Sequence, residues 1–145
     1  MIIPNRIFFE EVERLIAAGE NVILKMKGES MLPFLREKKD KIVLSPCRRE
    51  ELLPGEVVLF RYHGRHILHR IVGRNEEELL IQGDGSLVNH EKVSTKDVVG
   101  IVRSIIRPGG KEIPVHSTLI YKYWHLWYSL LPYRRFILFI LKPVV

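Results

Sequence analysis

The chain has 145 residues, of which 28% are charged and 46% apolar, a composition that excludes a disordered polypeptide. This length is sufficient for one domain with a buried core. The net charge of +6, from 23 basic and 17 acidic residues, suits an anionic membrane surface as well as a nucleic acid. The single cysteine, Cys47, excludes an intrachain disulfide and a metal site made of cysteines.

The first element predicted along the chain is an amphipathic helix over residues 5–18. Asn5 is a suitable N-cap, apolar residues follow at helical spacing, and Gly19 ends the pattern. Before it, two isoleucines are followed directly by Pro4, Asn5 and charged residues. We therefore expect neither a secretory signal nor an N-terminal membrane anchor.

Short strands separated by turn residues are predicted next, near 22–27, 40–45, 56–62, 66–73, 78–82 and 97–106. Gly64 lies between the third and fourth of them, so Phe60 to Ile71 is expected to form a hairpin. Pro108-Gly109-Gly110 is the clearest break in the chain. The sequence thus predicts a mainly β (α+β) body over residues 1–107 and a separate helical tail over residues 108–145.

The tail is rich in aromatic residues and contains both tryptophans, Trp124 and Trp127. Pro132 and the pair Arg134-Arg135 interrupt its apolar run, which argues against a membrane-spanning helix. Tryptophan, tyrosine and arginine are typical of a helix that lies along a membrane interface. These four residues are candidates for membrane contact, and the alternative is that the tail packs on the sheet or forms a dimer contact.

Three residues, in the order Ser30, His69 and Asp84, have the chemistry of a nucleophile, a base and an orienting carboxylate. A serine hydroxyl becomes a good nucleophile when a neighbouring base takes its proton, and imidazole accepts a proton near neutral pH. A carboxylate on the other ring nitrogen stabilises the imidazolium that forms. Separations of 39 and 15 residues allow different strands to bring the three together.

The motifs that contain these residues resemble one superfamily. Their order along the chain is similar to that in signal peptidase I and LexA-like serine peptidases. The motifs are Gly28-Glu29-Ser30-Met31-Leu32-Pro33, a Pro54-Gly55-Glu56 turn before an apolar strand, His69-Arg70-Ile71, and Gly83-Asp84. A histidine base in an H-R-[IV] motif is similar to the archaeal and endoplasmic-reticulum branch of signal peptidases. The resemblance extends over roughly residues 20–106.

This resemblance implies a β-rich catalytic body with the LexA/signal-peptidase-like fold and a serine endopeptidase activity. Ser30, His69 and Asp84 would be catalytic, and the backbone N–H of Ser30 would contribute to the oxyanion hole. The substrate would be an extended peptide or precursor protein, cleaved after small side chains. Without an anchor, the expected location is the cytoplasm or the cytoplasmic face of the membrane. Relatives often carry a further acidic residue beyond the Gly-Asp turn, where this chain has no carboxylate before Glu91.

Other chemistry is less well supported by the sequence. His63, His66 and His69 have a spacing that suggests metal ligands, but His66 and His69 should lie on opposite faces of a strand, and we expect no metal or other cofactor. Cys47 is interpreted as a bystander thiol. The local basic cluster, which includes Arg48 and Arg49, is mixed with acidic residues, and this mixture argues against a nucleic-acid partner.

Two alternatives to the peptidase remain open. A non-catalytic module with the same fold could capture an extended peptide by strand addition. A DNA-linked, self-cleaving regulator ranks last, because it would need a helix-turn-helix domain that the 20 or so residues before the body are too few to form.

Overall fold

The computed structural model describes residues 5–25, 31, 34–36, 39–85, 90–115 and 126. Within these residues the chain forms one α-helix and eight strands, and all the strand pairs are antiparallel. The helix α1 is Asn5–Ala17, and the strands are β1 Val22–Leu24, β2 Lys41–Ser45, β3 Val57–Tyr62, β4 Arg65–Arg74, β5 Glu78–Gln82, β6 Glu91–Ser94, β7 Val98–Ile106 and β8 Glu112–Pro114. The mainly β class predicted from the sequence is confirmed.

The strands form one sheet in the order β1-β2-β7-β3-β4-β5-β6, and β8 also pairs with β7. The sequence did not predict β6 and β8, which are short and rich in charged residues or proline. Because β8 pairs with β7, the Pro108-Gly109-Gly110 break is the turn of a hairpin. The chain therefore stays with the sheet beyond the predicted boundary at residues 107/108, as far as Val115, whose N–H donates to the carbonyl of Arg103.

Local sequence signals explain the helix end and the central hairpin. Gly19, at φ 86°, ends α1, and the N–H of Glu20 donates to the carbonyl of Leu15 as in a Schellman cap. His63 and Gly64, at φ 49° and 75°, form the two-residue turn between β3 and β4. Positive φ at both central residues is what a tight hairpin turn requires. The predicted hairpin is confirmed, with Phe60 opposite Ile67.

The two faces of the sheet have separate apolar cores. One face packs under α1 and includes Phe9, Val12, Leu59 and Leu68. The other includes Val58, Phe60, Ile71 and Ile81. Neighbouring residues on β3 and β4 thus alternate between the two cores, as the period of two in a strand demands. Adjacent polar residues of β4 are directed to opposite faces by the same alternation.

The predicted helical tail lies almost entirely outside the described residues. Its membrane-contact candidates, Trp124, Trp127, Arg134 and Arg135, are all outside them. Among the residues that are described, no helix is long and apolar enough to cross a membrane.

Candidate active site

The first sequence-predicted site residue, Ser30, lies outside the described residues. Its chain neighbour Met31 is described, and so is Phe34; both side chains are buried in the core under α1. The structure therefore shows the surroundings of the residue that directly follows the candidate nucleophile.

His69 lies in the middle of β4, opposite Val58 of β3. Its side chain is on the face of the second core, and its imidazole centroid is 6.2 Å from the ring of Phe60. Only 10% of the side chain is exposed. The backbone of a central strand and the neighbouring apolar side chains thus restrict the orientation of the imidazole.

The carboxylate at the Nδ1 atom of His69 is that of Glu91, the first residue of β6, at 2.5 Å. A carboxylate oxygen at this position accepts a hydrogen bond from the tautomer of His69 that carries its proton on Nδ1. The Glu91 side chain is 11% exposed, so little water competes for it. In that tautomer Nε2 is the ring nitrogen that can accept a proton.

The sequence assigned the orienting carboxylate to Asp84, and the structure places this carboxylate against Arg70. The two carboxylate oxygens of Asp84 accept hydrogen bonds from Nε and Nη2 of Arg70, each at 2.8 Å. Asp84 is fully buried, and Arg70 is 2% exposed. Asp84 is thus the acceptor of a two-point ion pair with Arg70, whereas Glu91 is the carboxylate at Nδ1 of His69.

The strand register explains why Glu91 lies at His69. Ile71 is opposite Ile81, and Ile81 is opposite Glu91, so these three side chains share a face. His69 precedes Ile71 by two residues on β4 and therefore lies on the same face. Sequence reasoning missed Glu91 because β6 was not predicted, although an acidic residue beyond the Gly-Asp turn was the signal that could have indicated it.

The same register directs Asp84 to the other face. Arg70 is opposite Gln82, and Asp84 follows Gln82 by two residues. Arg70 and Asp84 accordingly meet on the face under α1, where the guanidinium carbon of Arg70 is 4.7 Å from the ring centroid of Phe34. The consecutive residues His69 and Arg70 thus contribute to two different polar pairs on opposite faces.

The other histidines of β4 and its turn are not part of this arrangement. His66 stacks on Phe9 of α1, with ring centroids 4.4 Å apart, and its Nε2 is 3.0 Å from a carboxylate oxygen of Glu13. His66 and His69 therefore lie on opposite faces, as the sequence predicted. Within the described ranges no three histidine, cysteine or acidic residues are grouped as metal ligands.

Cys47 is half-buried beside the second core. Burial raises the pKa of its thiol, and the nearby carboxylate of Glu51 raises it further, against a smaller opposing effect of Arg103. A thiol with a raised pKa is a poor nucleophile at neutral pH because less of it is thiolate. This supports the interpretation of Cys47 as a bystander.

Comparison with known proteins adds no family assignment: no protein-family model matches the sequence, and no curated protein matches it.

Proposed function

We propose that the chain is a serine endopeptidase with the LexA/signal-peptidase-like fold, in which Ser30 is the nucleophile, His69 the base and Glu91 the orienting carboxylate. The observation that carries this proposal is the contact of His69 Nδ1 with the largely buried carboxylate of Glu91. An imidazole held by one nitrogen against a carboxylate is suited to proton transfer through the other. The motif around Ser30 supplies the nucleophile.

The proposed reaction uses this pair in both halves. The Oγ of Ser30 attacks a peptide carbonyl carbon while its proton passes to Nε2 of His69, and the negative charge of Glu91 stabilises the imidazolium. The tetrahedral intermediate collapses with cleavage of the C–N bond, and His69 returns the proton to the leaving amine. Water then attacks the acyl-enzyme as His69 takes its proton. The ester C–O bond breaks, His69 returns the proton to Oγ of Ser30, and the new carboxyl terminus is released.

The substrate class follows from the resemblance in the sequence. An extended leader or signal-peptide-like segment of a precursor protein is the proposed substrate, and the cytoplasm or the cytoplasmic membrane surface is the proposed location. No cofactor takes part in the scheme.

A fluorophosphonate probe, which labels activated serines, tests the proposal directly. The intact chain should be labelled, and Ser30→Ala and His69→Ala should each lose nearly all labelling, because members of one catalytic unit fail together. Ser94→Ala and His66→Ala are matched controls and should be labelled normally; His66 lies on the opposite face of the sheet. Normal labelling of Ser30→Ala would show that another residue is the nucleophile.

A second candidate function is peptide capture without cleavage. The strand that carries Glu91, β6, is terminal in the strand order, and no other described strand pairs with its outer edge. Such an edge can accept an added strand through backbone hydrogen bonds. Saturable binding of an extended peptide by a chain that the fluorophosphonate does not label would favour this function over the peptidase.

A further inference from the structure

We propose that Arg70 and Asp84 are positioning residues that hold the segment directly after Ser30, an inference that rests on the proposed peptidase function. Arg70 follows the candidate base in the chain. Asp84, which the sequence suggested as a catalytic carboxylate, acts in this proposal through the nucleophile segment.

The guanidinium of Arg70 makes three hydrogen bonds within the pair and its surroundings. Arg70 donates through Nε and Nη2 to the two oxygens of Asp84 at 2.8 Å, and through Nη1 to the carbonyl of Gly55 at 2.7 Å. A planar guanidinium with two parallel bonds to one carboxylate has a defined orientation. With both side chains buried, exchange with water does not loosen this geometry.

Two described residues that follow Ser30 closely in the chain, Met31 and Phe34, contact the pair; we call this part of the chain the nucleophile segment. The backbone N–H of Asp84 donates to Sδ of Met31 at 3.4 Å, and the Arg70 guanidinium lies over the ring of Phe34. Met31 and Phe34 are 4% and 2% exposed. The N–H of Leu35 donates to the carbonyl of Met31 at 2.9 Å. The pair thus connects the strand of the base to the residue that follows Ser30.

The position of the pair separates its role from catalysis. Arg70 and Asp84 lie on the face under α1, and His69 and Glu91 lie on the other. The pair therefore acts on the placement of the segment after Ser30, whereas Glu91 contacts the imidazole of His69. A displacement of about 1 Å at a reacting group can cost about 100-fold in rate.

The test measures the maximal rate of fluorophosphonate labelling and the probe affinity separately. Asp84→Asn removes the charge, and Met31→Leu removes the sulfur acceptor at nearly constant volume, so the second variant remains informative if the first fails to fold. Each should lower the maximal rate by about 10- to 100-fold with unchanged affinity. Hydrogen exchange at the Leu35 amide should become faster in both. Val12→Ala, a core variant on the same face, controls for lost stability and should label at the normal maximal rate.

The pH profile distinguishes a changed placement of the segment after Ser30 from a direct effect on His69. Asp84→Asn and Met31→Leu should lower the rate by one factor at every pH. Three outcomes would each overturn the positioning role while the labelled wild type still supports the peptidase. They are a normal rate in both Asp84→Asn and Met31→Leu, an equal loss in Val12→Ala, and a changed profile shape in Asp84→Asn. A wild-type chain that is not labelled would refute the peptidase function and this role with it.

Discussion

Replacement of Glu91 by glutamine tests the proposed mechanism at its best-described contact. The variant keeps the size and one acceptor oxygen of the side chain but removes the charge that stabilises the His69 imidazolium. Opposite charges centred about 4 Å apart interact by about 4 kcal/mol at an effective dielectric constant of about 20, a value that holds even for largely buried pairs. Such a loss in the transition state corresponds to a decrease of about 1000-fold in kcat.

The maximal rate of fluorophosphonate labelling, measured on folded protein, is the assay for this prediction. Glu13→Gln is the matched control, because Glu13 forms the other histidine–carboxylate contact, with His66 on the opposite face. It should label as the wild type does. Urea unfolding of both variants shows whether either effect arises from lost stability.

Near-normal labelling of a folded Glu91→Gln variant would refute the assigned role of Glu91. The reasoning would also fail if Glu13→Gln lost as much activity as Glu91→Gln, since the effect would then not be specific to the contact at His69.

Three further predictions concern other parts of the chain. Burial raises the pKa of Asp40, but hydrogen bonds from Arg36 and the charge of Arg107 outweigh burial and hold this pKa below its usual value. The stability that the ionised Asp40 contributes is therefore present above about pH 4 and is lost as the pH falls through the lower pKa of the folded state. Asp40→Asn should therefore be less stable by about 2 kcal/mol at pH 7, because it weakens hydrogen bonds to a charged group. Its urea midpoint should also depend less on acid pH, and an unchanged pH dependence would contradict this. Iodoacetamide should modify Cys47 more slowly in the folded chain than in urea at pH 7.5, because its pKa is raised; equal rates would contradict that. A chain truncated after Val115 keeps β8 and should remain folded. It should lose the binding to anionic vesicles that Trp124 and the rest of the tail are predicted to give. Negligible binding by both the intact and the truncated chain would exclude the membrane role.

Local patterns in the sequence were sufficient for most of the secondary structure. The helix was predictable because Gly19 and the apolar spacing of α1 are short-range signals, and the central hairpin because Gly64 provides a tight turn. β6 and β8 were not predictable, since Glu91-Lys92-Val93-Ser94 and Glu112-Ile113-Pro114 have little strand propensity and are strands because they pair with β5 and β7.

The sequence by itself also suggested His69 as the candidate base through the His69-Arg70-Ile71 motif. It placed His69 on the opposite face from His66, because a strand alternates with a period of two. Only the tertiary structure decided which carboxylate faces it. Glu91 and Asp84 are similar in chemistry and both follow β5, but register places Glu91 on the face of His69 and Asp84 on the face of Arg70. Register depends on contacts between strands that are distant in the chain, and a one-residue difference reverses the face of every side chain.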